Sequence, residues 1–112
     1  MATTLRVGIS GLNRGWYFAE ALKWHANTEI TALYDVDAPR LEKMRSDFGE
    51  PKTFTDYESM LESGVNLVIV SSPMQFHVPQ AVAALDRGIH VFSEVPAASS
   101  LEQCGALVEA VR

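Results

Sequence analysis

Residues 5–35 constrain this chain more than any other stretch. They run Leu5-Arg6-Val7-Gly8-Ile9-Ser10, then Gly11-Leu12-Asn13-Arg14-Gly15, then a helical pattern, then Glu29-Ile30-Thr31-Ala32-Leu33-Tyr34-Asp35. A strand, a glycine turn, a helix and a second strand closed by a carboxylate follow one another in the order a dinucleotide-binding βαβ unit requires. A pyrophosphate needs unpaired backbone N–H groups, which a helix N-terminus supplies when no side chain blocks the approach. Glycine at the turn removes the obstructing Cβ and permits positive φ. The carboxylate after the second strand can accept from a ribose diol, and Asp35 follows Gly11 by 24 residues, close to the roughly 20 of the fingerprint.

The fingerprint G-x-G-x-x-G, aligned from Gly11, is imperfect. Asn13 takes the place of the second glycine, and Asn tolerates the left-handed region best after glycine. Trp16 takes the third place, where close packing of helix on strand excludes bulk; Gly15 beside it can relieve this by shifting the turn one residue.

The chain has 112 residues, 47% apolar and 21% charged, with a net charge of −5. These values describe one globular domain, 1–112, with an ordinary core. The acidity argues against nucleic-acid and anionic-membrane partners, whereas dinucleotide binding relies on backbone dipoles. A single Cys104 excludes an internal disulfide and fits a reducing, cytoplasmic location. Met1-Ala2-Thr3-Thr4-Leu5-Arg6 lacks the apolar region of a secretory leader, and no apolar run reaches 18 residues.

Along the chain, Phe18, Ala21, Leu22 and His25 mark one helical face, with Tyr17 and Trp24 adjoining it. A strand over 29–35 places Ile30, Ala32 and Tyr34 on one side and Thr31 and Leu33 on the other. Asp37 N-caps the next helix, Pro39 sits in its first turn, and Leu41, Met44 and Phe48 form its inner face. A short strand over 53–55 precedes a brief helix capped by Asp56. The run 65–70 suits a central parallel strand covered on both faces. A helix over 78–87 carries Val78, Ala81, Val82 and Leu85, with Gly88 as its C′ residue. A strand over 89–92 follows. Ser99 or Ser100 then caps a last helix whose stripe is Leu101, Cys104, Leu107, Val108 and Val111, which makes Cys104 a small core residue.

This alternation predicts an α/β fold, a parallel sheet of order 3-2-1-4-5 with helices on both faces. Ligands in such sheets bind outside the carboxyl ends of the strands. Those ends carry Gly11, Asp35, Ser71-Ser72-Pro73 and Glu94, all small or polar.

With those loops in view, together with Val70-Ser71-Ser72-Pro73-Met74-Gln75-Phe76-His77, Ala81-Val82-Ala83-Ala84-Leu85-Asp86-Arg87-Gly88-Ile89-His90-Val91 and Glu94-Val95-Pro96, the chain resembles a known family. It is similar over nearly its whole length to the N-terminal Rossmann domain of the glucose–fructose oxidoreductase, inositol dehydrogenase and rhizopine-catabolism family (Gfo/Idh/MocA). The resemblance implies an NAD(P)-dependent oxidoreductase acting on sugars, inositols or related hydroxyl and carbonyl compounds. It implies that Ser72-Pro73 packs against the dinucleotide, that His77 lies near the nicotinamide side, and that Glu94 helps hold the nicotinamide ribose and substrate. Three residues depart from the family pattern: Val95 replaces the lysine of Glu-Lys-Pro, Met74 an asparagine, and Asn13 a glycine. Family members continue through a sixth strand into a substrate domain that usually supplies the catalytic His or Asp. The expectation is therefore a fragment, truncated before that strand, without a catalytic residue of its own.

The cofactor-binding candidates are Gly11, Leu12, Asn13, Arg14, Asp35, Ser71, Ser72, Pro73, His77 and Glu94. An acidic Asp35 repels a 2′-phosphate, so NAD is expected over NADP. The plainer roles are a helix-start histidine bonded to backbone groups for His77, a surface helix residue rather than a phosphate clamp for Arg40, and core packing for Trp16 and Tyr17. His25 and His90 are structural, and no ligand spacing suggests a metal. A non-catalytic nucleotide-binding or interaction module is the alternative, favoured by Val95. A methyltransferase using S-adenosylmethionine shares the glycine turn and acid but not the Ser-Pro and Glu-x-Pro pattern. A P-loop is absent. Without a sixth strand the fifth strand and last helix are expected to drive self-association.

Overall fold

The computed structural model describes residues 4–112; residues 1–3, part of the stretch read above for a leader, lie outside them. Strands β1 (Leu5–Ser10), β2 (Thr28–Tyr34), β3 (Lys52–Phe54), β4 (Leu67–Val70) and β5 (His90–Ser93) alternate with helices α1 (Leu12–Leu22), α2 (Ala38–Asp47), α3 (Tyr57–Leu61), α4 (His77–Leu85) and α5 (Leu101–Val111). All neighbouring strands are parallel, and their order is β3-β2-β1-β4-β5. The expected doubly wound sheet is the observed one.

Two cores lie on its opposite faces. Val7, Ile9, Leu33 and Ile69 meet Leu12 and Ala19 of α1 and Leu41 and Met44 of α2. Ala32, Val68 and Val70 meet Tyr57, Met60 and Leu61 of α3 and Ala84 of α4. Successive residues of β4 thus point into different cores, which is why its sequence is continuously apolar.

The register of β2 differs from simple alternation. Val7 pairs with Ile30 but Gly8 pairs with Ala32, so Thr31 is an extra residue. One inserted residue flips the sides that follow it. Ile30 therefore joins the core of Leu33, while Ala32 and Tyr34 face the other one.

The helix caps are as expected: Asp37, Asp56 and Ser100 accept from the backbone N–H groups of Arg40, Ser59 and Gln103. Two helical faces are not. Helix α1 begins at Leu12, directly after the glycine, so its buried face is Leu12, Gly15 and Ala19. Phe18 and Leu22 are half-buried, Ala21 is exposed, and Trp24 and His25 lie exposed past the helix end. Helix α5 has no buried residue, and Cys104 is exposed rather than in the core. Among the elements α5 meets only α4, so its amphipathic pattern has no sheet face to cover. Helix α4 starts at His77 after a 3-10 turn over Met74–Phe76, and Ala84 joins Val78 and Ala81 in its buried face. No helix is long and apolar enough to cross a membrane among the described residues.

Candidate functional site: the cleft at the strand ends

Gly11 holds the carboxyl ends of β1 and β4 together. Its φ is +85°, a region that L side chains rarely enter. A Cβ there would lie 2.5 Å from Cα of Ser72 and 2.6 Å from the carbonyl carbon of Ser71. The Gly11 N–H donates to the Tyr34 carbonyl at 3.1 Å, and the Ser71 hydroxyl lies 2.8 Å from the Gly11 carbonyl and 2.9 Å from that of Ser10. The close-packing glycine is Gly15, where a Cβ would meet Cγ2 of Ile9 at 2.6 Å. The motif is thus Gly-x-x-x-Gly. Trp16 falls outside it, edge-on to Tyr17 and Phe48 with centroids at 5.2 and 6.5 Å.

Asp35 ties this turn to α2. Its Oδ2 accepts from the Leu12 N–H at 2.9 Å and its Oδ1 from the Asp37 N–H at 2.9 Å. The side chain is buried, and a carboxylate at the start of α1 complements the helix dipole. Arg40 Nη1 approaches Oδ2 at 3.4 Å. The surface role expected for Arg40 is therefore only half right: it reaches back over Asp35 and lines the cleft.

That cleft encloses about 360 Å³. Gly11, Leu12, Asn13 and Arg14 line it from the first loop, Asp35 from the second, and Ser71, Ser72 and Pro73 from the third. The N–H groups of Asn13 and Arg14 have no carbonyl four residues earlier within the helix. They are the donors a phosphate would use. At Gly11 the place of a Cβ is taken by the backbone of Ser71 and Ser72, which packs directly on the turn. Donors at the start of α1 and a diol acceptor beside them fit an adenosine pyrophosphate.

His77 and Glu94 stand apart from this cavity. His77 is buried, with Nδ1 2.8 Å from the Pro96 carbonyl and Nε2 2.6 Å from the Ser72 carbonyl. A ring protonated on both nitrogens donates to both; a neutral ring leaves one carbonyl facing a lone pair. Of its two expected roles, His77 has the geometry of the backbone-bonded one, pinning the loop after β5 to the loop after β4. Glu94 is half-buried and accepts from the Val95 N–H at 3.1 Å and from Arg14 Nε at 3.4 Å. Val95 is 79% exposed.

The sequence profile described as an oxidoreductase family with an NAD-binding Rossmann fold, Gfo/Idh/MocA, matches residues 5–112. The chain belongs to this family. It is 30% identical to a protein named glycosyl hydrolase family 109 protein from Shewanella woodyi, over 96% of this chain and 25% of that one. A scyllo-inositol dehydrogenase from Lactobacillus casei, solved with NAD(H) and scyllo-inositol, superposes with a TM-score of 0.91 at 27% identity, over 97% of this chain and 33% of that one. A 3-ketoreductase from Actinomadura kijaniata, solved with NADP, gives 0.88 at 27% identity, over 97% and 34%. The chain spans about a quarter of the length of the curated relatives it matches.

As an NAD-binding domain of Gfo/Idh/MocA type, the cleft also holds residues that sequence reasoning missed. Tyr34, Val36, Phe76 and Gln80 line it beside Arg40. Tyr34 was legible as a strand-end residue next to Asp35. Its phenol is held above the ordinary tyrosine value by burial, then by the nearby charges of Asp35 and Asp56. Gln80 and Phe76 carried no signal, because only the fold of the loop after β4 brings them to the opening. Among the described residues no group of three His, Cys, Asp or Glu side chains is placed to hold a metal ion.

Proposed function

We propose that this chain binds NAD in preference to NADP in the cleft over Gly11, and that the protein it serves transfers hydride to or from a sugar- or inositol-like compound. The observation that carries this reading is the convergence of Gly11, Asp35 and Ser71-Ser72 on one cavity with the α1 amides at its edge. When bound, NAD supplies the hydride acceptor at its nicotinamide ring. The residues of this chain bind and orient: α1 takes the phosphates, Asp35 takes the ribose diol, and the His77 pin fixes the loops that flank the nicotinamide end. The dehydrogenase and ketoreductase names among the neighbours support the substrate class. The hydrolase name, carried by several Shewanella relatives, adds a glycoside-cleaving reaction to those open to the protein this domain serves.

Calorimetric titration with NADH and with NADPH tests the reading. Tighter binding of NADH supports it; equal or reversed affinities overturn the preference, and no binding of either overturns the reading itself. A second reading, a nucleotide-binding module without chemistry, is favoured by exposed Val95, which offers no cation where the family has lysine. NADH formation by the protein with its substrate domain, assayed over sugars and inositols, separates the two. Retained binding without turnover would favour the module.

A further inference from the structure

The Gln80 carboxamide has a fixed orientation that the binding roles above do not use. Its Oε1 accepts from the Ser10 hydroxyl at 2.6 Å and from the Ser72 hydroxyl at 2.8 Å. Ser10 is fully buried, and its hydroxyl has no other partner among the described residues. Were the amide turned over, that hydroxyl hydrogen would be stranded without an acceptor, which is costly in a buried site. The serines therefore turn the oxygen inward. The Gln80 carbonyl accepts in turn from the Tyr57 hydroxyl at 2.7 Å, so the backbone beneath the side chain is held as well.

This leaves the NH₂ group. Gln80 is 9% exposed, and it lines the cleft. No fully enclosed side-chain nitrogen or oxygen among the described residues lacks a partner. Nε2, which makes no hydrogen bond among them, is therefore not fully enclosed, and the cavity its residue lines is this cleft. The group it meets there has to be an acceptor. Phosphates have the α1 amides and a ribose diol has Asp35, and the apolar lining of the cleft that Gln80 shares includes Phe76, Pro73 and Val36. A flat apolar ring bearing lone pairs suits such a place: a purine.

We infer that Gln80, oriented by Ser10 and Ser72, donates to a ring nitrogen of the adenine base and is the residue by which this cleft recognises the base. The inference rests on the dinucleotide reading above. A neutral amide aligned before binding gives up no rotamer freedom when the base arrives. It also accepts nothing, so a base presenting a donor at that position would meet N–H with N–H.

The test compares AMP with its 1-deaza, 3-deaza and 7-deaza analogues by calorimetry, on the wild-type protein, Gln80→Met and Gln80→Glu. Gln80→Glu keeps an acceptor for both serines while removing the donor, so a folding defect in Gln80→Met does not end the test. Wild type is expected to bind one analogue roughly 5-fold or more weaker than AMP, the value of one hydrogen bond. Both variants are expected to bind AMP and that analogue alike. Affinity ratios cancel any general loss from loosened packing or added charge. Equal discrimination by wild type and both variants, or none by wild type, would overturn the inference while leaving dinucleotide binding intact. Failure of wild type to bind either AMP or NADH would instead remove the reading on which it rests.

Discussion

A carboxylate has about four lone-pair sites, and Asp35 spends two on the Leu12 and Asp37 amides. A ribose diol can take the free site on Oδ1 and displace Arg40, whose contact is long at 3.4 Å. Arg40 sets how strongly the acid repels a 2′-phosphate, because a cation beside Oδ2 offsets part of its charge. Arg40→Ala should therefore raise the NADH-to-NADPH affinity ratio, and Asp35→Ala should lower it by about 10-fold or more, given that hydrogen bonds to charged groups contribute roughly 1.5–3 kcal/mol. Titration of both cofactors against both variants checks it; movement of the two ratios in the same direction would remove the opposition argued here. Gly11 is the other residue on which the site turns. Gly64 also has positive φ but has open space around its Cβ position, so Gly64→Ala should cost only backbone strain, about 1–2 kcal/mol. Gly11→Ala adds collision with the backbone of β4's loop, and should cost clearly more by chemical denaturation and abolish NADH binding.

At the scale of elements, the loop after β4 is where stability and site meet, since Tyr57, Gln80, Ser72 and His77 are bonded in series there. Burial pushes the Tyr57 phenol well above its ordinary value near 10, with the charge of Glu58 adding to the rise. A folded value above the unfolded one contributes stability that is complete below about pH 10 and is lost as pH climbs toward the folded value. Denaturation curves between pH 8 and the alkaline limit should fall steeply for wild type and less so for Tyr57→Phe, with Tyr34 sustaining the remaining slope. An equal slope in the variant would assign the alkaline loss elsewhere. The sequence made the strands, caps and strand-end residues readable because each depends on neighbours within a few positions: Asp37, Asp56 and Ser100 each bond a backbone amide three residues on. The extra residue Thr31 was not readable, since only pairing with β1 defines it. The shift of the turn by one residue that Gly15 allows was readable, but that Ile9, across the strand–helix turn, is what leaves no room there was not. Arg40 and Gln80 entered the site through side-chain reach, which spacing along the chain does not encode.

For the whole molecule, the sheet ends at β3 on one side and β5 on the other, and the two edges are unlike. Lys52 and Thr53 of β3 are exposed and polar or charged, a protection natural edges commonly use. The four residues of β5 include Phe92, 54% exposed and edge-on to Phe18 at 5.6 Å. Beside it α5 leaves Leu101 90%, Val108 57% and Val111 68% exposed. Apolar surface left in water at an edge with unpaired backbone groups favours association. The net charge of −5 opposes it through a repulsion that salt screens. The 112-residue chain studied by itself is therefore expected to self-associate through β5 and α5, more strongly as salt rises. Sedimentation velocity across a concentration series at low and high salt is the measurement. Phe92→Lys together with Leu101→Glu should shift the distribution toward monomer without lowering NADH affinity, because neither residue lines the cleft. A wild-type monomer at every concentration and salt would show that this face is not an association surface. A variant that associates as wild type does would move the contact to another part of the molecule.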